Sequence, residues 1–271
     1  MGFVTIRTRS FLLLALAAII LGIAHAGVGV ATEQASDAKP QLRVLTYNIH
    51  HGEAMDGKFD YQRLSKVIAD LKPDVVGLQE VDFKTQRSGG VDQAEILGKL
   101  TRMQHVFGQA MPFQDGGYGE AVLSRFPIEK VETYPLPYRP GQEPRAALSI
   151  RIKPGNGLPE LIFVNTHLCH QSSETRIWQA QQINQVFPKK SGPPIILVGD
   201  LNARVGSETM KELLAERWVD TVSPQSRIDY VLTRKGDPWR VVEVKIVEEL
   251  IVSDHNPVLV VLEWMGEIID N

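Results

Sequence analysis

Six apolar runs along this chain each deliver a polar side chain at one end. Residues 42–47 end in Asn48, 75–78 in Gln79-Glu80, 161–164 in Asn165-Thr166-His167, and 195–198 in Gly199-Asp200-Leu201-Asn202. Ile228 is followed by Asp229, and residues 250–252 by Ser253-Asp254-His255. One amide or acid at the end of a strand is ordinarily a turn or a cap. Six of the same character read instead as groups that converge on one rim. Their types fit one chemistry. Glu80 and Asn48 offer hard oxygen ligands suited to Mg²⁺ or Mn²⁺ rather than zinc. Asp200 and Asn202 can position or deprotonate a water, His167 and His255 can meet phosphoryl oxygens, and Asp229 can fix the tautomer of a histidine. Together they meet the requirements of phosphate-ester hydrolysis.

The elements that must position these groups follow from the hydrophobic pattern. Strands are expected at 43–47, 75–78, 105–109, 121–124, 145–152, 161–165, 195–198, 228–232, 241–247 and 258–262. The continuous runs, such as Ile195-Ile196-Leu197-Val198, suit strands buried on both faces. Asp60 can cap a helix with Leu64, Val67, Ile68 and Leu71 on one face, ended by Pro73. Asp92 can open a second helix, to about residue 101, and Ser172 or Ser173 a third, to about residue 186. A short fourth, 208–215, follows Ser207. Buried strands with helices between them give a layered α/β domain. Several connections are too short for crossover helices, so the sheets should be mixed. No internal repeat is visible.

Composition bounds the rest. The chain has 271 residues, 43% hydrophobic and 23% charged, enough for one sizeable core and too apolar for a disordered chain. With 29 Lys+Arg against 32 Asp+Glu, the net charge of −3 excludes a broad basic surface for nucleic acid. Arg7 and Arg9 precede an unbroken apolar run over 11–23, followed by Ala24-His25-Ala26, the pattern of a cleaved secretory signal. Residues 1–26 are therefore expected to be removed and 27–40 to form a tether. The domain should occupy 41–265 and a tail 266–271. The apolar run is short for a membrane span, so no stable membrane insertion is expected, and the location is secreted or periplasmic. The lone Cys169 makes no internal disulfide and lies far from a lipoprotein position.

The ordered set Thr46-Tyr47-Asn48-Ile49-His50, Gln79-Glu80, Gly119 through Leu123-Ser124, Asn165-Thr166-His167-Leu168, Gly199-Asp200-Leu201-Asn202, Ile228-Asp229-Tyr230 and Ser253-Asp254-His255 resembles the motifs of the endonuclease/exonuclease/phosphatase superfamily. The resemblance runs from about 42 to 264. It implies a DNase I-like, four-layered α/β sandwich of two packed, mostly antiparallel sheets flanked by helices, and metal-dependent phosphoester hydrolysis without a covalent enzyme intermediate. It also implies Glu80 as principal metal ligand with Asn48 beside it, and Asp254 as a second metal-side or orienting carboxylate. Asp200 and Asn202 would orient water and phosphate, His167 and His255 would bind the phosphate, and Asp229 would pair with His255. Either Asp200 or His255 takes the proton of the water.

Other residues have two readings. Arg145 either binds a phosphate oxygen or makes a structural ion pair. Glu120 is read as an exposed loop acid, with substrate contact as the alternative. Cys169 is read as a small buried or half-buried residue, and His50 and His51 as loop positions near the site rather than ligands. Arg87-Ser88-Gly89-Gly90 and Tyr118 are candidates for the site entrance. Trp178, Trp218, Trp239 and Trp264 are scattered as packing residues are. The expected substrate is a small-molecule or lipid-derived phosphodiester cleaved by a monomer. A secreted nuclease acting on nucleic-acid phosphodiesters is the alternative, and a non-catalytic binding domain is a third reading that the intact residue set opposes.

Overall fold

The computed structural model describes residues 39–187, 192–215, 217–222, 227–248 and 251–267. The expected signal, nearly all of the tether, Leu250 and most of the expected tail lie outside them. Among the described residues, twelve strands form two six-stranded sheets. The strands are β1 (Gln41–Asn48), β2 (Val75–Phe83), β3 (Gln104–Phe113), β4 (Gly116–Ser124), β5 (Ile128–Leu136), β6 (Arg145–Ile152), β7 (Leu161–His167), β8 (Ile195–Asp200), β9 (Trp218–Asp220), β10 (Asp229–Arg234), β11 (Trp239–Ile246) and β12 (Val258–Trp264). The first sheet runs β11-β12-β1-β2-β4-β3 and the second β5-β6-β7-β8-β10-β9. The described pairs are antiparallel except β1–β2 and β7–β8, each joined by a helix, so the two sheets repeat one topology.

The four described α-helices begin where side chains take up orphan backbone N–H groups. Asp60 caps α1 (Tyr61–Asp70) by accepting from Arg63 N at 3.0 Å, and Asp92 caps α2 (Gln93–Thr101) through Glu95 N at 3.0 Å. Ser172 caps α3 (Ser173–Val186) through Thr175 N at 3.2 Å, and Ser207 caps α4 (Glu208–Leu214) through Met210 N at 3.4 Å.

Period-2 alternation sorts the strand side chains into layers. Val44, Val75, Val122, Leu148, Ile150, Phe163, Ile196, Val198 and Val260 pack between the sheets. Leu45, Val76, Leu78, Leu123 and Leu259 face outward onto Leu64, Ile68 and Leu97 of α1 and α2. Ala147, Val164, Leu197, Tyr230 and Leu232 do the same against Ala180, Ile183, Met210 and Leu213 of α3 and α4. This is the expected four-layered sandwich.

Two strands have no counterpart in the sequence reading. β5 is an edge strand whose residues are mostly exposed and which carries Pro135, so no apolar run marks it. β9 is three residues long at the opposite edge.

Candidate active site

The strand ends named from the sequence meet at one rim. Asn48 closes β1, His167 closes β7 and Asp200 closes β8, while Asp229 opens β10 and Arg145 opens β6. Glu80 arrives by a different device. The β2–β4 register shifts between Leu78 and Val81, and Glu80 takes φ +57° in this bulge. An extra residue in a strand re-aims side chains, here leaving Gln79 fully buried and Glu80 turned to the rim. Across the core, the Asn165 amide donates to Leu78 O at 2.8 Å and Ala121 O at 2.9 Å, and accepts from Gln79 Nε2 at 2.6 Å. A buried amide from the second sheet thus supports the bulge of the first.

Asp200 Oδ2 is the hub. Asn48 Nδ2 donates to it at 3.1 Å, His167 Nε2 lies at 3.4 Å and His255 Nε2 at 3.6 Å. The same Asn48 nitrogen donates to Glu80 Oε1 at 3.0 Å. Asp200 Oδ1 accepts the Asn202 N–H at 2.8 Å, with Asn202 at φ +46°. Ser253 donates to Asn48 O at 2.7 Å and accepts the His255 N–H at 3.1 Å, which pins the Ser253-Asp254-His255 turn to the end of β1.

The neighbours of the two histidines set different states. Arg145 Nη1 donates to His167 Nδ1 at 2.9 Å. Arginine nitrogens only donate, so Nδ1 is an acceptor and the neutral ring carries its hydrogen on Nε2. Burial, and then the Arg145 charge, push the His167 pKa well below the ordinary histidine value, which agrees. Asn202 Nδ2, which donates to Leu168 O at 3.0 Å, lies 2.9 Å from the same Nε2, and Asp200 Oδ2 lies 3.4 Å from it. His255 Nδ1 instead meets Asp229 at 3.0 Å and 3.2 Å. Burial opposes its charge, but the Asp229 hydrogen bond and carboxylate, with Asp200, raise its pKa to about 9. Burial and the Asp229 charge push Asp200 up to about 7. Burial would raise Glu80 too, but the His51 ring at 3.9 Å and the Asn48 amide hold it well below the usual carboxylate range.

Asp254 is exposed on the rim, where it borders the same cavity as Glu80 and His255. Arg145 combines an ion pair with a place on the cavity wall. It is 3% exposed, pairs with Glu143 at 2.7 Å, and spends Nη1 on His167 while still bordering the cavity. Glu120 is a correction. It is 1% exposed on β4, its Oε2 meets no partner among the described residues, and burial pushes its pKa up to about 8. It follows Gly119 in a strand, and its alternation with Val122 turns it between the sheets. Cys169 is buried, and His50 and His51 line the cavity.

The cavity has a volume of about 370 Å³. Five of the chain's seven histidines border it, a lining rich in groups that meet phosphoryl oxygens. A second hollow of about 770 Å³, bordered by Arg227 and Lys245, shares Asp254 and His255 with it. As a cation site the rim fits hard oxygen donors, since Glu80 and Asp200 both lie within hydrogen-bond reach of one Asn48 nitrogen. Asp200, Asp229 and His255 also offer ligand atoms within 4.8 Å of one another. In that trio, however, His255 and Asp229 are already paired.

Residues 45–255 match the model of the Endonuclease/Exonuclease/phosphatase family. The chain belongs to this family. Family members hydrolyse phosphoesters and typically depend on a divalent metal. A member from Beutenbergia cavernae superposes with a TM-score of 0.70 at 26% identity, covering 84% of this chain and 72% of that one. The mannosyl-6-phosphatase Bt3783 of Bacteroides thetaiotaomicron superposes at 0.67 with 18% identity, covering 82% of this chain and 100% of that one. The Escherichia coli protein YbhP is 27% identical over 169 residues, 59% of this chain and 66% of YbhP. No described helix is long and apolar enough to cross a membrane.

Proposed function

We propose that this chain is an exported Mg²⁺- or Mn²⁺-dependent phosphodiesterase acting on a small or lipid-derived phosphodiester. The observation that carries the reading is the hub at Asp200 Oδ2, with Asn48, His167 and His255 nitrogens within 3.6 Å. Asp200 accepts the proton of the attacking water, because the Asp229 carboxylate keeps His255 protonated and unable to serve as base. His255 and Asn202 hydrogen-bond phosphate oxygens, and His167 stays neutral and orients Asp200. Glu80, with Asp254 at the rim, would hold the cation, which supplies charge neutralisation at the phosphate, and Asn48, whose Nδ2 donates to Glu80 and Asp200 while its Oδ1 accepts the His50 N–H, orients the two carboxylates beside it. Two hollows meeting at Asp254 and His255 give room for the two substituents of a diester. Export is supported by the basic, apolar and small-residue order of residues 7–26.

The test is hydrolysis of bis-p-nitrophenyl phosphate with Mg²⁺ or Mn²⁺, followed by a panel of plasmid DNA, RNA, sphingomyelin, glycerophosphodiesters and phosphomonoesters. Glu80→Gln and His255→Ala should each lower kcat by about 100-fold or more with unchanged circular dichroism. Full activity in both variants would refute the assignment.

A further inference from the structure

We infer that the wall formed by Arg87, Phe113 and Tyr118 binds a compact, hydroxyl-bearing substituent of the substrate, a polyol or sugar carried on the scissile phosphate. The inference deepens the phosphodiesterase reading and rests on it. Arg87 borders the 370 Å³ cavity together with Phe113 and Tyr118. Its Nε and Nη2 are both spent on Asp82, at 2.8 Å each, and the Asp82 side chain has no exposed surface. Thr85 donates to the same carboxylate at 2.7 Å. The guanidinium lies over the Phe113 ring at 4.7 Å and the Tyr118 ring at 5.4 Å, and the Arg87 N–H is held by Gln114 Oε1 at 2.8 Å. Gly116 lets the β3–β4 turn close on this loop, since a Cβ there would sit 2.2 Å from Phe83 O.

What remains is Nη1, with two N–H groups that no described residue accepts, on a side chain that is 27% exposed and fixed before any ligand arrives. A preorganised donor of this kind loses little freedom on binding. Three features select the ligand. Arg87 stacks over one face of Phe113 and of Tyr118, which closes those faces to a nucleobase. The Arg87 charge is already matched by the buried Asp82 carboxylate, so Nη1 offers hydrogen-bond donors rather than an unmatched charge. Acceptors border the same cavity: His50 Nδ1 faces Glu53 O at 2.9 Å and so carries the hydrogen, leaving Nε2 as an acceptor, and Glu143, one oxygen of which meets Arg145, adds a carboxylate. Donors and acceptors together match a hydroxyl, which is both.

The test compares glyceryl p-nitrophenyl phosphate with n-propyl p-nitrophenyl phosphate, which share the leaving group and differ by two hydroxyls. The wild type should favour the glyceryl ester by about tenfold or more in kcat/KM, chiefly through KM. Arg87→Lys, which keeps a cation for Asp82, should reduce the preference to about threefold or less and leave the propyl ester within about twofold. The double variant Arg87→Gln with Asp82→Asn should do the same without an unpaired buried charge. A wild type with no preference, or variants that keep it, overturns the inference and leaves the hydrolase reading standing. If neither ester is cleaved, that reading fails, and calorimetry on EDTA-treated protein decides the inference. Tighter binding of glycerol 1-phosphate than of n-propyl phosphate, lost in Arg87→Lys, upholds it, and equal affinities overturn it.

Discussion

Arg145 against His167 Nδ1 and Asp229 against His255 Nδ1 impose opposite states on two rings that share Asp200 as a neighbour. A donor that cannot accept keeps His167 neutral, and a carboxylate keeps His255 charged up to about pH 9. Asp229→Asn removes that carboxylate. The His255 pKa should then fall toward the ordinary value of about 6.5, so protonated His255 is lost at a lower pH. The alkaline limb of the kcat/KM profile should move down by about two pH units, with the smallest change near pH 6. An unmoved limb would exclude His255 as the group required in its charged form. Arg145→Gln should lower kcat by about 10- to 100-fold, with KM less affected, since His167 loses its orientation. Nitrogen NMR of the His167 ring should show its tautomers mixing in that variant. Arg145→Lys should restore part of the rate and of the Nε2–H form.

At the scale of elements, Glu80 depends on a bulge, and the bulge depends on Asn165 from the other sheet. Asn165→Ala removes the amide that donates to two buried carbonyls and should cost about 2–4 kcal/mol in denaturant unfolding. If the amide holds Glu80 in place, kcat should fall even where the variant is fully folded. Asn165 was legible as a motif residue, but its task was not, because a contact across 87 residues has no local signature. The central strands were legible for the opposite reason. β2, β7 and β8 are buried on both faces and so appear as unbroken apolar runs that stop at Gln79, Asn165 and Gly199, and β1, interrupted by Arg43 and Thr46, still reads as an apolar-rich stretch that stops at Asn48. β5, exposed along one edge, has no such constraint and left no pattern to read. The cap residues Asp60, Asp92, Ser172 and Ser207 were legible because a cap is decided within four residues.

The whole molecule repeats one sheet topology twice without a repeat in sequence, because the constraint is burial and strand direction rather than residue identity. Closing two such sheets face to face also buries groups that the local pattern leaves outside. Glu120 follows two residues after Gly117-Tyr118 in a segment that reads as a loop, yet it lies between the sheets, near Arg145 and the His167 backbone N–H. Burial raises its carboxyl from about 4.5 in the unfolded chain to about 8, against the pull of the Arg145 charge and two backbone hydrogen bonds. The sign follows by linkage: the unfolded chain releases this proton first, so the Glu120 contribution is complete below about pH 4.5 and is lost as pH rises through about 8. Glu120→Gln keeps the shape and cannot ionise. The two proteins should therefore have similar unfolding free energies near pH 4.5, and the variant should become the more stable by about 2–4 kcal/mol near pH 8.5. Denaturation in EDTA across that range checks this, because the other titrating groups are common to both proteins and cancel in the difference. A constant difference between the two curves would mean that Glu120 is not the buried acid that resists ionisation between the sheets.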